Sequence, residues 1–180
     1  RRVIFTGNLA SYQGIDLMLK AFAPVAAERA DLRLVIATDS AFDPYEALAR
    51  ELAIRDRIDI VSSPTFDDLP ALLAGADVAV NPRVECDGIP VKLLNYMAAG
   101  RAVVSFDSSA PGVVHEKTGW LAPAGNVTAF ADGLRRVLDD PELASRLGQA
   151  ARTYVVNNVS WAIVAERCET LYRNMIGARR

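Results

Sequence analysis

Apolar residues along the chain follow two alternating rhythms. Short runs rich in Val, Ile, Leu and Ala occupy residues 2–6, 32–38, 58–62, 78–81 and 102–106, each bounded by polar or glycine-containing stretches. Runs of that length and composition predict strands buried on both faces, as in a parallel sheet. Between them the apolar positions take up helical spacing, with Ile15, Leu19, Phe22 and Ala26 on one face. Pro24 should kink or shorten that helix, because proline has no amide hydrogen and crowds the preceding turn. Segments 45–53, 67–73 and 90–99 predict three more helices. Thr65 is placed to cap the second of these through its hydroxyl, and Pro90 and Gly100 mark the start and stop of the third. Residues 112–122 carry short apolar pieces broken by Gly119, which suggests a small turn or an extra strand edging the sheet. Residues 127–138, 141–155 and 161–176 read as helices, with Gly125-Asn126 and Asp139-Asp140-Pro141 as caps and turns before the first two. Strands and helices alternating in this way predict an α/β fold, a Rossmann-like three-layer α/β/α sandwich with a mainly parallel sheet.

Length and composition narrow this picture. The 180 residues are 51% hydrophobic, enough for one domain with its own core, and no linker or repeat divides them. With 20 basic and 22 acidic residues spread along the chain there is no basic footprint for nucleic acid, and a small neutral or anionic ligand fits better. No stretch approaches the roughly 18 apolar residues of a membrane span. Cys86 and Cys168 lack the paired spacing of a metal or redox site, so a reducing, cytoplasmic setting is the simplest expectation. The lone His115 reads as structural or exposed. The chain opens at Arg1 without an initiator methionine and runs straight into a strand, so further sequence upstream is expected.

In an open α/β sheet, ligands gather at the carboxyl ends of strands, where helices begin with free N–H groups. Two loops there carry candidate chemistry. After the first strand, Gly7-Asn8-Leu9-Ala10-Ser11-Tyr12-Gln13-Gly14 has two glycines that let backbone approach a ligand, and uncharged donors in Asn8 and Gln13. A plain strand-to-helix turn accounts for this loop equally well, since it has neither the G-x-G-x-x-G nor the P-loop pattern. After the fourth strand, Pro82-Arg83-Val84-Glu85-Cys86-Asp87-Gly88-Ile89-Pro90 is dense in charge and leads into the helix bearing Lys92 and Asn95. A cation in a first helical turn is disfavoured by the macrodipole and makes sense if an anion such as a diphosphate docks there. Taken alone, a solvated Lys92 and a surface Asn95 remain ordinary alternatives.

The stretch Gly88-Ile89-Pro90-Val91-Lys92-Leu93-Leu94-Asn95-Tyr96-Met97-Ala98-Ala99-Gly100-Arg101-Ala102-Val103-Val104 resembles the signature helix of glycosyltransferase family 4, or glycosyl transferases group 1. Residues 3–16 resemble that family's opening strand and glycine loop, 66–82 the helix and strand that follow, 117–123 its Thr-Gly turn, and Ser160-Trp161 the start of its last helix. All of these belong to the carboxyl-terminal, Rossmann-like half of the GT-B fold. The resemblance implies a nucleotide diphosphate-sugar as donor substrate, its diphosphate at the signature helix and its base and ribose held deeper, with no metal or other cofactor. It also implies an amino-terminal GT-B domain outside this chain. That domain would bind a glycan, lipid or small-molecule acceptor for a retaining hexosyl transfer, either in the cytoplasm or at the inner face of the membrane. The last helix, with Trp161, Val164, Cys168, Leu171 and Tyr172, would cross back to that domain and expose part of its apolar face here.

Many family members carry two glutamates eight positions apart; counting back from Gly100 puts Asp87 and Asn95 at those places, with Glu85 competing for the first. Asp87 can bond sugar hydroxyls, whereas Asn95 can bond ribose without supplying charge. An arginine and a lysine that often clamp the diphosphate from the first loop are matched here by Asn8 and Gln13, so Lys92 is expected to provide the compensating charge. The candidate catalytic residues are therefore Asp87 and Lys92, and the candidate substrate-binding residues are Gly7, Asn8, Gln13, Gly14, Glu85, Gly88, Ile89, Pro90 and Asn95. Rival readings are a non-catalytic nucleotide-sugar-binding domain and a GT-B sugar-nucleotide epimerase. A receiver domain would need acidic groups where Gly7-Asn8 and Ser62-Ser63 stand, and a dinucleotide oxidoreductase has only Asp39 in its favour.

Overall fold

The computed structural model describes residues 1–62 and 64–177, so Ser63 lies outside the described residues. Six strands, β1 (Arg2–Thr6), β2 (Arg33–Thr38), β3 (Ile58–Ser62), β4 (Val78–Asn81), β5 (Ala102–Phe106) and β6 (Trp120–Ala122), form one sheet in the order β3-β2-β1-β4-β5-β6. Every neighbouring pair is parallel. The helices are α1 (Ile15–Glu28), α2 (Asp43–Glu51), α3 (Leu69–Ala74), α4 (Val91–Ala98), α5 (Val127–Asp139), α6 (Pro141–Asn158) and α7 (Trp161–Gly177). None of the described helices is long and apolar enough to cross a membrane.

The alternation of side chains along each strand divides the core into two layers. Val3, Phe5, Val78, Val80, Val104 and Phe106 face one cluster with Ile15, Leu19 and Phe22 of α1 and Phe130 and Leu134 of α5. Ile4, Ala79 and Val103 point the other way, onto Leu73 of α3, Leu93, Tyr96 and Met97 of α4, and Ala151 of α6. The central strands β1, β4 and β5 are thus covered on both sides, which is why their sequences are dominated by apolar residues.

Several boundaries differ from the sequence expectation. α1 runs on to Glu28 with Pro24 inside it; Val25 and Ala26 beyond the proline are buried, and their packing outweighs the missing bond. α2 starts earlier than expected, at Asp43 with Pro44 in its first turn, and α3 starts later, at Leu69. Thr65 does act as a cap, one turn ahead of α3: its hydroxyl accepts from the Asp68 amide (3.3 Å), and the Asp68 carboxylate accepts from the Thr65 amide (2.8 Å). Asn126 and Asp140 accept from the amides of Ala129 (3.0 Å) and Leu143 (2.9 Å), as the caps of α5 and α6. Residues 112–122 supply the edge strand β6.

The order of strands reverses between β1 and β4, because β2 and β3 extend the sheet to one side of β1 and β5 and β6 to the other. The pairing of β1 with β2 continues to Thr6 and Ala37, whereas that of β1 with β4 stops at Ile4 and Ala79. Past that point the two strand tips part. The Thr6 amide finds the buried Tyr96 hydroxyl at 2.8 Å, so α4 closes the bottom of the resulting crevice.

Far from the crevice, α6 lies against the end of α4 so closely that a Cβ on Gly148 would stand 2.1 Å from the Gly100 carbonyl oxygen. Gly148→Ala should therefore destabilise the fold by about 3 kcal/mol through overpacking, since the roughly 1 kcal/mol that alanine adds to helix propensity is too small to offset it. Urea denaturation of the two proteins at equal m-value checks this; an unchanged or raised midpoint would contradict the contact.

Candidate functional site

Two loops meet where β1 and β4 part. The first leaves β1 at Gly7 (φ 122°), makes a short turn over Ser11–Gln13, and enters α1 through Gly14 in the left-handed conformation (φ 70°). A Cβ on Gly14 would lie 2.2 Å from the Pro82 carbonyl oxygen, so the first loop packs backbone against backbone on the second. The second loop is pinned at its start. Buried Asn81 donates to Ser105 Oγ (3.0 Å) and to the Ser109 carbonyl (3.1 Å), while the hydroxyls of Ser109 and Ser108 donate to the carbonyls of Arg83 and Val84. Beyond Val84 the loop is open: Glu85, Asp87, Gly88 and Ile89 are exposed, and nothing lies within 4 Å of where a Gly88 Cβ would be. Pro90 is buried with extended backbone as the N-cap of α4, so the amides of Val91 and Lys92 open the helix without intrahelical partners.

Lys92 does not point into solvent. Its ammonium reaches across the strand tips, donates to Gln13 Oε1 at 2.7 Å, and sits 4.0 Å from the centre of the Phe5 ring. It also occupies the space a side chain on Gly7 would need, 3.0 Å from an ideal Cβ there. From Gln13 a chain of neutral hydrogen bonds continues along the first loop. Gln13 Nε2 donates to Asn8 Oδ1 and Asn8 Nδ2 to the Tyr12 hydroxyl, each at 3.2 Å. The Arg83 guanidinium lies 4.8 Å over the Tyr12 ring. Burial, and then the nearby charge of Arg83, bring the Lys92 ammonium down from 10.5 to about 7. A cation held this way is poised to recover its charge when an anion arrives.

The structure thus brings Gly7, Asn8, Gln13, Gly14, Pro90 and Lys92 together at the strand tips, with Glu85, Asp87, Gly88 and Ile89 on the open loop beside them. Asn95 faces elsewhere: half-buried, it lines a hollow of about 280 Å³ with Phe66, Leu69 and Arg152. Phe66 and Leu69 also border a second hollow of about 280 Å³, walled by Gly7, Asn8, Thr38, Asp39 and Thr65. Sequence reasoning missed this second hollow, treating Asp39 only as a dinucleotide marker and Thr65 only as a helix cap. Both follow strands at the same sheet edge, the signal that would have found them. A larger hollow of about 430 Å³ includes Arg101 and Arg152, but their guanidiniums donate to the carbonyls of Ala76 (3.0 Å) and Ala98 (2.7 Å) and serve the backbone. His115 is exposed, accepts from the Leu121 amide at 3.0 Å and packs edge-on against Trp120, a structural role.

Residues 1–140 match the family described as Glycosyl transferases group 1. The chain is 25% identical over 176 residues to the alpha-D-kanosaminyltransferase of Streptomyces kanamyceticus, covering 96% of this chain and 45% of that protein. The chain spans about 45% of the length of the curated relatives it matches. In fold it is similar to the C-terminal domain of LpcC, a glycosyl transferase group 1 family protein of Francisella tularensis (TM-score 0.79, 17% identity, 89% of this chain and 86% of that one). It is also similar to HepE of Anabaena in complex with UDP (TM-score 0.82, 17% identity, 95% and 48%).

The buried ammonium gives a test independent of any ligand. Because the folded-state pKa of Lys92, about 7, lies below its ordinary 10.5, the unfolded chain binds more protons between these values and stability rises with pH across that window. Below about 7 both states are protonated and the full cost of burying the charge is felt. Lys92→Met removes this titration. Its stability relative to the native chain should fall by up to about 4 kcal/mol between pH 6 and pH 10. Urea denaturation across that range measures it, and a pH-independent difference would mean the ammonium is not desolvated.

Proposed function

This chain belongs to the glycosyl transferases group 1 family, and from that premise we propose that it is the nucleotide-sugar-binding half of a glycosyltransferase of GT-B architecture. The donor is a nucleotide diphosphate-sugar and the group moved is a hexosyl unit. The observation that carries this reading is the Lys92 ammonium, sunk at the parted tips of β1 and β4 beside Gly7 and the open end of α4. There it meets the diphosphate together with the amides of Val91 and Lys92.

The chemistry asks for fixed positive potential at that place. Breaking the anomeric C–O bond leaves an oxocarbenium-like sugar and a departing diphosphate, and the barrier falls as the new negative charge is stabilised. Lys92, its charge restored by the bound donor, stabilises the leaving group without a metal ion. Gly88, with open space above it, lets the phosphates approach the loop, and Asp87 on the same exposed stretch binds hydroxyls of the donor sugar. The base and ribose enter the hollow between Asn8, Asp39 and Thr65, a reading supported by its position at the same sheet edge and by the likeness to HepE, whose complex holds UDP. Transfer proceeds with retention to a glycan, lipid or small-molecule acceptor.

The acceptor side belongs to an amino-terminal GT-B domain outside these 180 residues, and the chain alone does not complete transfer. Two observations support this: the chain spans less than half of its curated relatives, and α7 leaves Trp161 88% exposed along with Leu171, Tyr172, Met175 and Ile176. We place the enzyme in the cytoplasm or at the inner face of the membrane. The neutral Asn8 and Gln13 favour one second reading, a domain that binds nucleotide-sugars without turning them over; donor hydrolysis or transfer by the longer protein would exclude it.

A thermal-denaturation panel of UDP, GDP and ADP and their glucose or mannose forms tests the donor site. At a hundred times its Kd, one nucleotide class should raise the midpoint by roughly 5–10 °C while the corresponding nucleosides do little. No shift with any diphosphate would sink the reading.

A further inference from the structure

Arg83 lies in the second loop, near Lys92. Its place in the fold is specific. The Ser109 hydroxyl fixes its carbonyl, its amide lies 3.6 Å from where a Cβ on Gly14 would stand, and the guanidinium stacks at 4.8 Å on Tyr12. The Nε of that guanidinium donates to the Glu85 carbonyl. Its two terminal nitrogens have no hydrogen-bond partner among the described residues, and Lys92 uses one donor on Gln13. Neither cation is paired with a carboxylate among the described residues, although Glu85 and Asp87 belong to the same loop.

Two positive groups on one short arc repel each other, and that repulsion acts on Lys92. The fold makes it persist by holding Arg83 on an aromatic face and Lys92 on Phe5 and Gln13. The residues between them, Tyr12, Asn8 and Gln13, are neutral and hydrogen-bonded to one another, so they neither neutralise nor separate the pair. An anion with two linked charged groups turns the arrangement from repulsive to attractive, each group taking one cation's unused donors.

We propose that Arg83, held on the Tyr12 ring, is the second cation of the diphosphate site, so that the β4–α4 segment supplies both of its positive charges and the Gly7–Gly14 loop supplies none. The inference rests on the donor-site reading above and deepens it. Arg83 binds one phosphoryl group with its forked terminal nitrogens, and Lys92 binds the other. Tyr12 is a positioning residue that keeps the guanidinium at the mouth of the crevice.

Isothermal titration of the 180-residue chain with inorganic pyrophosphate tests this directly. Arg83→Met should weaken binding by about ten-fold or more and reduce its dependence on salt. Arg83→Lys should recover part of the affinity, because it keeps the charge and loses the fork and the stack. Tyr12→Leu, which leaves both cations in place, should weaken binding several-fold, and it serves in place of Arg83→Met if that variant does not fold. Native affinity in both Arg83→Met and Tyr12→Leu would overturn the inference while leaving the donor site standing. Failure of the native chain to bind pyrophosphate or any nucleotide diphosphate would overturn the donor-site reading, and this inference with it.

Discussion

The hydrogen bond from the Thr6 amide to the Tyr96 hydroxyl is the constraint on which the rest of the site depends. Where β1 leaves β4, the backbone of β1 loses a strand neighbour in the middle of the protein, and an unpaired buried amide there would be costly. Tyr96 supplies the partner from α4, and its fully buried hydroxyl, pushed up to about 12, stays protonated while it does so. That one contact sets how far α4 stands from the parted tips. It thereby sets where the helix begins and where the Lys92 side chain, one turn earlier, can reach.

Electrostatics at the crevice follow from that placement. A lysine in the first turn of a helix meets an unfavourable dipole, and here it meets desolvation and a neighbouring guanidinium as well. Phe5 and Gln13 hold the side chain there all the same. Such an arrangement costs stability, and it fits the proposed donor site as preorganisation, with the cationic groups in position before a charged ligand arrives.

Much of the fold was legible because the two faces of the sheet are both covered. The strands at residues 2–6, 58–62, 78–81 and 102–106 match the expected limits, most plainly in the apolar runs of β4 and β5, where neither face meets water. Local rules failed where tertiary packing overrode them: Pro24 is carried inside α1, and α3 begins only after the cap formed by Thr65 and Asp68. At the candidate site, glycines and helix-start signals pointed to the two loops that the fold brings together where β1 and β4 part. They did not reveal that Lys92 turns inward, because burial of a lysine depends on what the strand opposite provides, here Phe5. Nor did they single out Arg83, whose role comes from Tyr12, 71 residues earlier in the chain, or separate Asn95, which lines a hollow with Phe66 and Leu69, from Lys92, which turns to Gln13 and Phe5.

Because the Gly14 backbone lies flush against the Pro82 carbonyl, the two loops form a single slab whose halves cannot slide past one another. An incoming molecule therefore meets a floor of fixed shape, and accommodation falls to side chains projecting from its rim. Such a floor lets selectivity drift by exchanging those projections one at a time, with the underlying main chain left as it was.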